Sequence, residues 1–189
     1  VSTLLRGVRR LPAGEEASCA RIIGDAAGRV REGRLAVPVT AGFLRPVIVL
    51  PADWRSLPDE ALAAILHHEA AHVRRRDCAM GLAAAVIEAT FWFHPAAWLA
   101  ASRVRWFAEM ACDDHAARAM DGRAYAASLL SLAAGWRESS RPRYALLAGA
   151  GTSVGRRIHL LLDDLDHARA RRPLLAGAAL FIILAVPAA

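Results

Sequence analysis

The sequence predicts a mainly α-helical domain with a small β element, an α+β fold, followed by a C-terminal transmembrane helix. Two short β-branched segments occur near residues 35–50, and Ala- and Leu-rich stretches with helix start and stop signals fill most of the remainder. An apolar run closes the chain. We therefore expect an N-terminal lead-in over 1–33, a domain over 34–168 and a truncated transmembrane helix over 173–189.

The composition excludes several classes of protein. Of the 189 residues 56% are hydrophobic and 22% charged, with a mean hydropathy of +0.28, which excludes a disordered polyelectrolyte. All 24 basic residues are arginine, but no arginine stripe with interleaved aromatics is present, so nucleic-acid binding is not expected. Three cysteines without a C-x-x-C pair argue against a disulfide framework and favour a reducing compartment.

Two short strands are expected before the helices. A short amphipathic stretch lies near Ala17–Val30, and the apolar segments Leu35–Val39 and Val47–Leu50 follow it. Turn formers separate the two segments. Pro38 and Pro46 favour edge positions for both strands, because proline cannot donate to a central ladder.

Four helical stretches are expected next: Pro58–Arg76, Ala79–Phe93, Pro95–Met120 and Arg123–Trp136. The first has a proline and acidic residues in its first turn, where the helix dipole favours them. The second is interrupted by Glu88 and is compatible with a core hairpin, a re-entrant segment or a membrane span. We favour a core or interfacial helix.

The C-terminal part indicates membrane attachment. A Gly-, Ser- and Pro-rich loop over 138–155 and a short helix near Val154–Leu165 lead to Arg169, Arg171 and Arg172. The run Pro173–Ala189 approaches the about 20 apolar residues of a transmembrane helix, with a buried core helix as the alternative. By the positive-inside rule, the arginines place the preceding domain in the cytoplasm.

The pattern His68-Glu69-Ala70-Ala71-His72 predicts a metal site. On a helix, residues four apart share a face, so both imidazoles can bind one metal ion. Glu69 is then placed to accept a proton from a water molecule. The alternative is a pair of partly buried surface histidines.

A third ligand is expected from a later helix. A metzincin would need a histidine at position 78, which is Cys78. Glu109 and Asp113 are four apart on the predicted third helix, so Glu109 could ligate a zinc ion and Asp113 could orient a ligand imidazole. A solvated acidic face is the alternative for this pair.

These motifs resemble those of the membrane-bound BlaR/MecR-type metallopeptidases, which are gluzincins related in plan to the CAAX-prenyl and HtpX-like proteases. The match runs from about Val37 to Leu162 and includes, in order, 42–51, 68–72, 74–77, 92–95, 109–114, 125–126 and 157–158. The resemblance implies a Zn²⁺ cofactor held by His68, His72 and Glu109. It also implies Glu69 as the catalytic acid and places Asp113 at the family's acidic position after the ligand.

Several residues near these motifs keep more than one interpretation. Arg157, His159, Tyr125 and His94 are the candidates for contacts to the transition state or the substrate. His67 and His115 depart from the family pattern and are read as incidental histidines. A thiol–imidazole pair of Cys112 with His115 is not expected, because nothing in the sequence lowers the pKa of that thiol.

The leading hypothesis is a zinc endopeptidase in the bacterial inner membrane, with its catalytic domain in the cytoplasm and membrane lipid around its anchor. By resemblance, its substrate is a regulatory, repressor-like protein or the chain itself. The alternative is a non-catalytic zinc-containing relay module of a membrane sensor, and a weaker one is an arginine-rich binder of nucleic acid or of a lipid surface. Covalent β-lactam capture needs a Ser-x-x-Lys motif, and this chain has no lysine.

Overall fold

The computed structural model describes residues 7–139 and 155–161. These residues form a small sheet and a set of helices, which confirms the predicted mainly helical α+β class. In chain order the elements are β1 (Arg9–Arg10), α1 (Ala13–Ile23), β2 (Val30–Gly33), β3 (Val39–Ala41), β4 (Val47–Pro51), α2 (Asp59–Arg75), α3 (Asp77–Thr90), α4 (Pro95–Ala119) and α5 (Gly122–Ser139). Residues 155–161 form a further short helical segment.

The sheet has the order β1-β2-β4-β3, so β4 is a central strand. It pairs parallel with β2, with Val30 opposite Ile48, and antiparallel with β3, with Val39 opposite Val49. The expectation that Val47–Leu50 is an edge strand is therefore wrong. Pro46 precedes the strand, so it removes no donor from the ladder.

The N-terminal residues contribute strands and core that the sequence did not indicate. β1 and β2 are short and charged, and they lack the alternation that marks a half-buried strand. The predicted strand Leu35–Val39 is shifted, because β3 begins only at Val39. Helix α1 buries Cys19 and Ile23.

One core joins the sheet, α1 and α2. Ile48 and Leu50 of β4 and Leu66 and Ala70 of α2 are fully buried, in one cluster with residues of α1. Full burial of a Leu or Ile side chain stabilises the fold by about 1.5–3 kcal/mol. A second cluster, between α2, α4, α5 and the segment 155–161, contains Ala64, Ala116, Tyr125, Leu129 and Leu161.

Helix α2 ends where Arg76 adopts a left-handed conformation, with φ of 57°. The same residue precedes α3, so α2 and α3 are joined without a longer loop. A non-glycine residue pays a steric cost in this conformation, and only the surrounding contacts maintain it. The turn places Asp77 beside the end of α2.

Helix α3 does not belong to the core. Of its 14 residues, Ala84 is the buried one, and Met80, Leu82 and Val86 are about half exposed. The core alternative for Ala79–Phe93 is therefore wrong. An alanine-rich sequence resembles a core helix by composition, but burial depends on which neighbours pack against it.

The membrane predictions at the C-terminus concern residues outside those described. Both Pro173–Ala189 and most of the predicted loop over 138–155 fall there, and the predicted helix near Val154–Leu165 is observed over 155–161. Among the described helices, none combines the length and the apolar character that crossing a membrane requires.

Candidate metal centre

Helix α2 supplies His68, Glu69 and His72 within just over one turn. The acidic residues Asp59 and Glu60 lie in its first turn, where they favour helix formation. The face toward the remaining helices carries small residues, so that α4 and α5 pack closely against it. This packing brings Glu109 of α4 opposite the two histidines.

Three donor atoms converge at this point. His68 Nε2 lies 3.2 Å from His72 Nε2, and the Glu109 carboxylate oxygens lie 3.6 Å from His68 Nε2 and 3.5 Å from His72 Nε2. Zinc bonds to nitrogen and oxygen of about 2.0–2.2 Å put tetrahedral ligands about 3.3–3.6 Å apart. The observed separations therefore fit one zinc ion, and a set of two histidines and one glutamate leaves a fourth position open.

His68 is fixed by a buried polar network on its other ring nitrogen. Its Nδ1 lies 3.1 Å from Asp113 Oδ1 and 3.2 Å from the Tyr125 hydroxyl, which donates to Asp113 at 2.7 Å. Arg157 donates to both Asp113 oxygens and lies 2.9 Å from Glu109. Asp113 is thus placed as the sequence predicted, with its carboxylate against a candidate ligand.

The electrostatics of this network follow from burial and from close charges. Burial alone would lower the pKa of His68, but hydrogen bonds to Asp113 and Glu109 outweigh it and raise the pKa to about 9. Burial alone would raise the pKa of Asp113, but Arg157 and His68 hold it well below its usual range. In the metal-free protein His68 is therefore protonated at neutral pH and Asp113 is ionised.

His72 has an equivalent partner that the sequence did not reveal. Its Nδ1 lies 2.8 Å from Asp77 Oδ2, and Arg75 also donates to this carboxylate. Asp77 comes directly after the left-handed residue Arg76, and this turn directs it back to His72. A carboxylate on the distal nitrogen fixes the tautomer of a ligand histidine and raises its basicity.

Cys112 belongs to the same surroundings but not to a catalytic pair with His115. The fully buried Cys112 sulfur lies 3.3 Å from His72 Nδ1 and 3.4 Å from Asp77. Burial and the Asp77 carboxylate raise the pKa of this thiol far above its usual value. His115 accepts from Arg74 at 2.8 Å, and the imidazole that contacts the Cys112 sulfur is that of His72.

Glu69 contacts the edge strand β3 rather than the buried network. The Thr40 side chain lies 2.6 Å from Glu69 Oε2 and 3.2 Å from the Glu69 carbonyl oxygen. Glu69 itself is 9% exposed. Thr40 was not singled out from the sequence, because its proximity depends on a contact across 29 positions.

Of the four residues predicted to contact the transition state or the substrate, Tyr125 and Arg157 lie in the buried network around Asp113. Tyr125 is 1% exposed, and Tyr125 and Arg157 both hold Asp113. His94 caps α4 by accepting from the Ala96 amide, 15 residues before Glu109 and so about 22 Å from it along that helix at 1.5 Å per residue. His159 lies exposed on the segment 155–161.

Comparison with known proteins relates the chain to a family of peptidases. A family model described as BlaR1 peptidase M56 matches residues 5–161. The regulatory protein BlaR1 of Bacillus licheniformis is 27% identical over 84 residues, which make up 44% of this chain and 14% of that relative. The matched region is thus a small part of the relative's length. Because the family model covers well over half of the sequence, the chain belongs to the BlaR1-type M56 peptidase family, as its motifs predicted.

Proposed function

We propose that the chain is a zinc-dependent endopeptidase that cleaves a protein substrate. The observation that carries the proposal is the convergence of His68, His72 and Glu109 at separations of 3.2–3.6 Å, with Glu69 next to His68 on the same helix. A structural zinc site would have a fourth protein ligand and no use for such a base. Membership of a peptidase family supports the same reaction.

In this proposal each residue of the centre has a separate task. His68, His72 and Glu109 would hold zinc, which when bound polarises the scissile carbonyl and lowers the pKa of water to about 7. Glu69 takes a proton from the attacking water and delivers it to the leaving amine. Asp113 and Asp77 orient the two imidazoles, and Arg157 keeps Asp113 ionised.

Strand β3 provides a place for the substrate backbone. It pairs with β4 on one side, and within the described sheet its other side has no strand partner. An extended peptide can add to such an edge through backbone hydrogen bonds. Thr40 on this strand contacts Glu69, so a peptide bound there would pass close to the base. Strand β4 is paired on both sides and offers no such edge.

The relationship to BlaR1 supports a proposal for the substrate class, and the C-terminal sequence supports one for the location. We propose a regulatory, repressor-like protein as substrate, or the chain itself, because the similar BlaR1 is described as a regulatory protein. The run Pro173–Ala189 would anchor the chain in the cell membrane. Arg169, Arg171 and Arg172 before it would keep the zinc centre on the cytoplasmic side.

The substitution Glu69→Gln tests the reaction, because it removes the base and leaves the ligands in place. The full chain, loaded with zinc, is incubated with a proteome-derived peptide library, and the cleavage products are identified by mass spectrometry. We expect metal-dependent cleavage by the wild type and none by Glu69→Gln, with equal zinc content in both. If both proteins bind zinc and neither cleaves, the non-catalytic relay is the better account. Equal cleavage by both would remove Glu69 from the mechanism.

A further inference from the structure

Helices α3 and α4 form a hairpin with a strongly apolar, exposed surface. Between Ala79 and Ser102 the sequence has one charged residue, Glu88. Nine large apolar side chains of this hairpin are at least 40% exposed: Met80, Leu82, Val86, Phe91, Trp92, Phe93, Trp98, Leu99 and Phe107. Soluble surfaces rarely leave an apolar patch of this extent uncovered, so a partner is expected here.

The polar groups at the tip of the hairpin are bonded within the hairpin. The Trp98 indole donates to the Trp92 carbonyl at 2.8 Å, and Thr90 donates to the Val86 carbonyl at 2.8 Å. The side chain of His94 accepts from the Ala96 amide, and Glu88 accepts from Arg105 at 3.1 Å. Groups paired in this way can leave water at little cost, which contact with lipid demands.

The distribution of charge and aromatic residues favours a lipid surface over a protein. Phe91, Trp92, Phe93 and Trp98 cluster at the turn, and tryptophan is enriched where proteins enter the membrane interface. The first charged residues that follow on α4 are the exposed arginines Arg103 and Arg105. Arg105 pairs with Glu88, and the positive charge of Arg103 suits anionic headgroups. No acidic residue occurs on α4 before Glu109.

We propose that the tip of the α3–α4 hairpin, residues 91–99 with the exposed face of α3, inserts into the interface of a bilayer with anionic lipid. Helix α3 has 14 residues and is about 21 Å long, too short to span the membrane, so the insertion is monotopic. Glu109 lies ten residues beyond Leu99 on α4, about 15 Å along the helix, whereas an interfacial helix is buried to about 5–10 Å, so the candidate metal centre stays in water. The inference uses neither peptidase activity nor the run 173–189.

The test measures tryptophan fluorescence of the full chain in vesicles of phosphatidylcholine and phosphatidylglycerol with brominated acyl chains. Bromine quenches only tryptophans near the acyl region. We expect strong quenching of the wild type and loss of most of it in the double variant Trp92→Phe/Trp98→Phe. Trp92→Phe alone should lose part of it, which guards against misfolding of the double variant. The control Trp54→Phe removes a 6% exposed core tryptophan and should leave the quenching unchanged.

Two outcomes would overturn the proposal. One is quenching of the double variant equal to that of the wild type. The other is a Trp92 shielded from aqueous acrylamide but unaffected by brominated lipid, which would show that a second copy or another protein segment covers the hairpin. Because the readout is independent of cleavage, failure of the peptidase proposal would leave this result unchanged.

Discussion

Asp113 is the buried carboxylate that links the candidate ligand His68 to Tyr125 and Arg157. The sequence predicted this position from its spacing to Glu109, because both lie on one face of α4. The residues that contact His72 and Glu69 could not be predicted in this way. Asp77 and Thr40 reach the site through a left-handed turn and an edge strand, and neither leaves a periodic trace in the sequence.

We expect Asp113→Asn to lower zinc affinity about 10–100-fold, the usual effect of removing a carboxylate behind a ligand histidine. The measurement is competition for zinc with a chromophoric chelator. Asp114→Asn is the matched control, because Asp114 is exposed and pairs with Arg118 on the helix surface. A larger loss in Asp114→Asn would mean that the acidic pair has another role.

The raised pKa of His68 predicts that a rise in pH lowers the stability of the metal-free fold and raises the affinity for zinc. Protonated His68 stabilises the metal-free fold fully below the unfolded value of 6.5, and this stabilisation is lost as the pH rises through about 9. Zinc must displace that proton, so its affinity should rise about tenfold per pH unit up to pH 9. Zinc titrations and thermal unfolding with a chelator measure the two trends. Flat profiles across this range, or a His68→Gln variant with the same slopes, would contradict the assignment.

Local sequence sets the boundaries of the helices but not the pairing of the strands. Helices α2 and α4 begin and end close to the predicted residues, and the prolines at both starts and the acidic first turn of α2 are signals that act locally. The strands β1 and β2 have no such signals, because β2 depends on pairing with β4 and β1 depends on pairing with β2. The central position of β4 was likewise set by these distant partners.

The segment 155–161 contributes Arg157 to the buried network, and we expect Arg157→Ala to destabilise the fold by about 3–5 kcal/mol. The reason is that a 1% exposed Asp113 carboxylate would lose its guanidinium partner and keep only the imidazole of His68 beside it. Chemical denaturation of the metal-free protein measures the loss.

The neighbouring Arg156 provides a control for that substitution. It is exposed and lies 5.5 Å from the centre of the Trp106 ring, so Arg156→Ala should cost about 1 kcal/mol or less. Equal losses from the two substitutions would show that the ion pair with Asp113 carries no particular stability.

For the molecule as a whole, the mainly helical class and the family could both be predicted from the sequence. The family was predictable because its motifs occur in a fixed order along the chain. The exposure of the α3–α4 hairpin could not be predicted from the sequence. A run of alanine and aromatic residues is compatible with a core helix and with a lipid-facing one, and only the packing of neighbouring elements separates them.

The zinc content of the purified full chain tests the central claim most directly. After dialysis against a weak chelator, elemental analysis should find about one zinc per chain in the wild type and in Glu69→Gln. His68→Ala and Glu109→Ala should lose most of the metal, because each removes one of the three converging donors. Full zinc occupancy in both ligand variants would contradict the account.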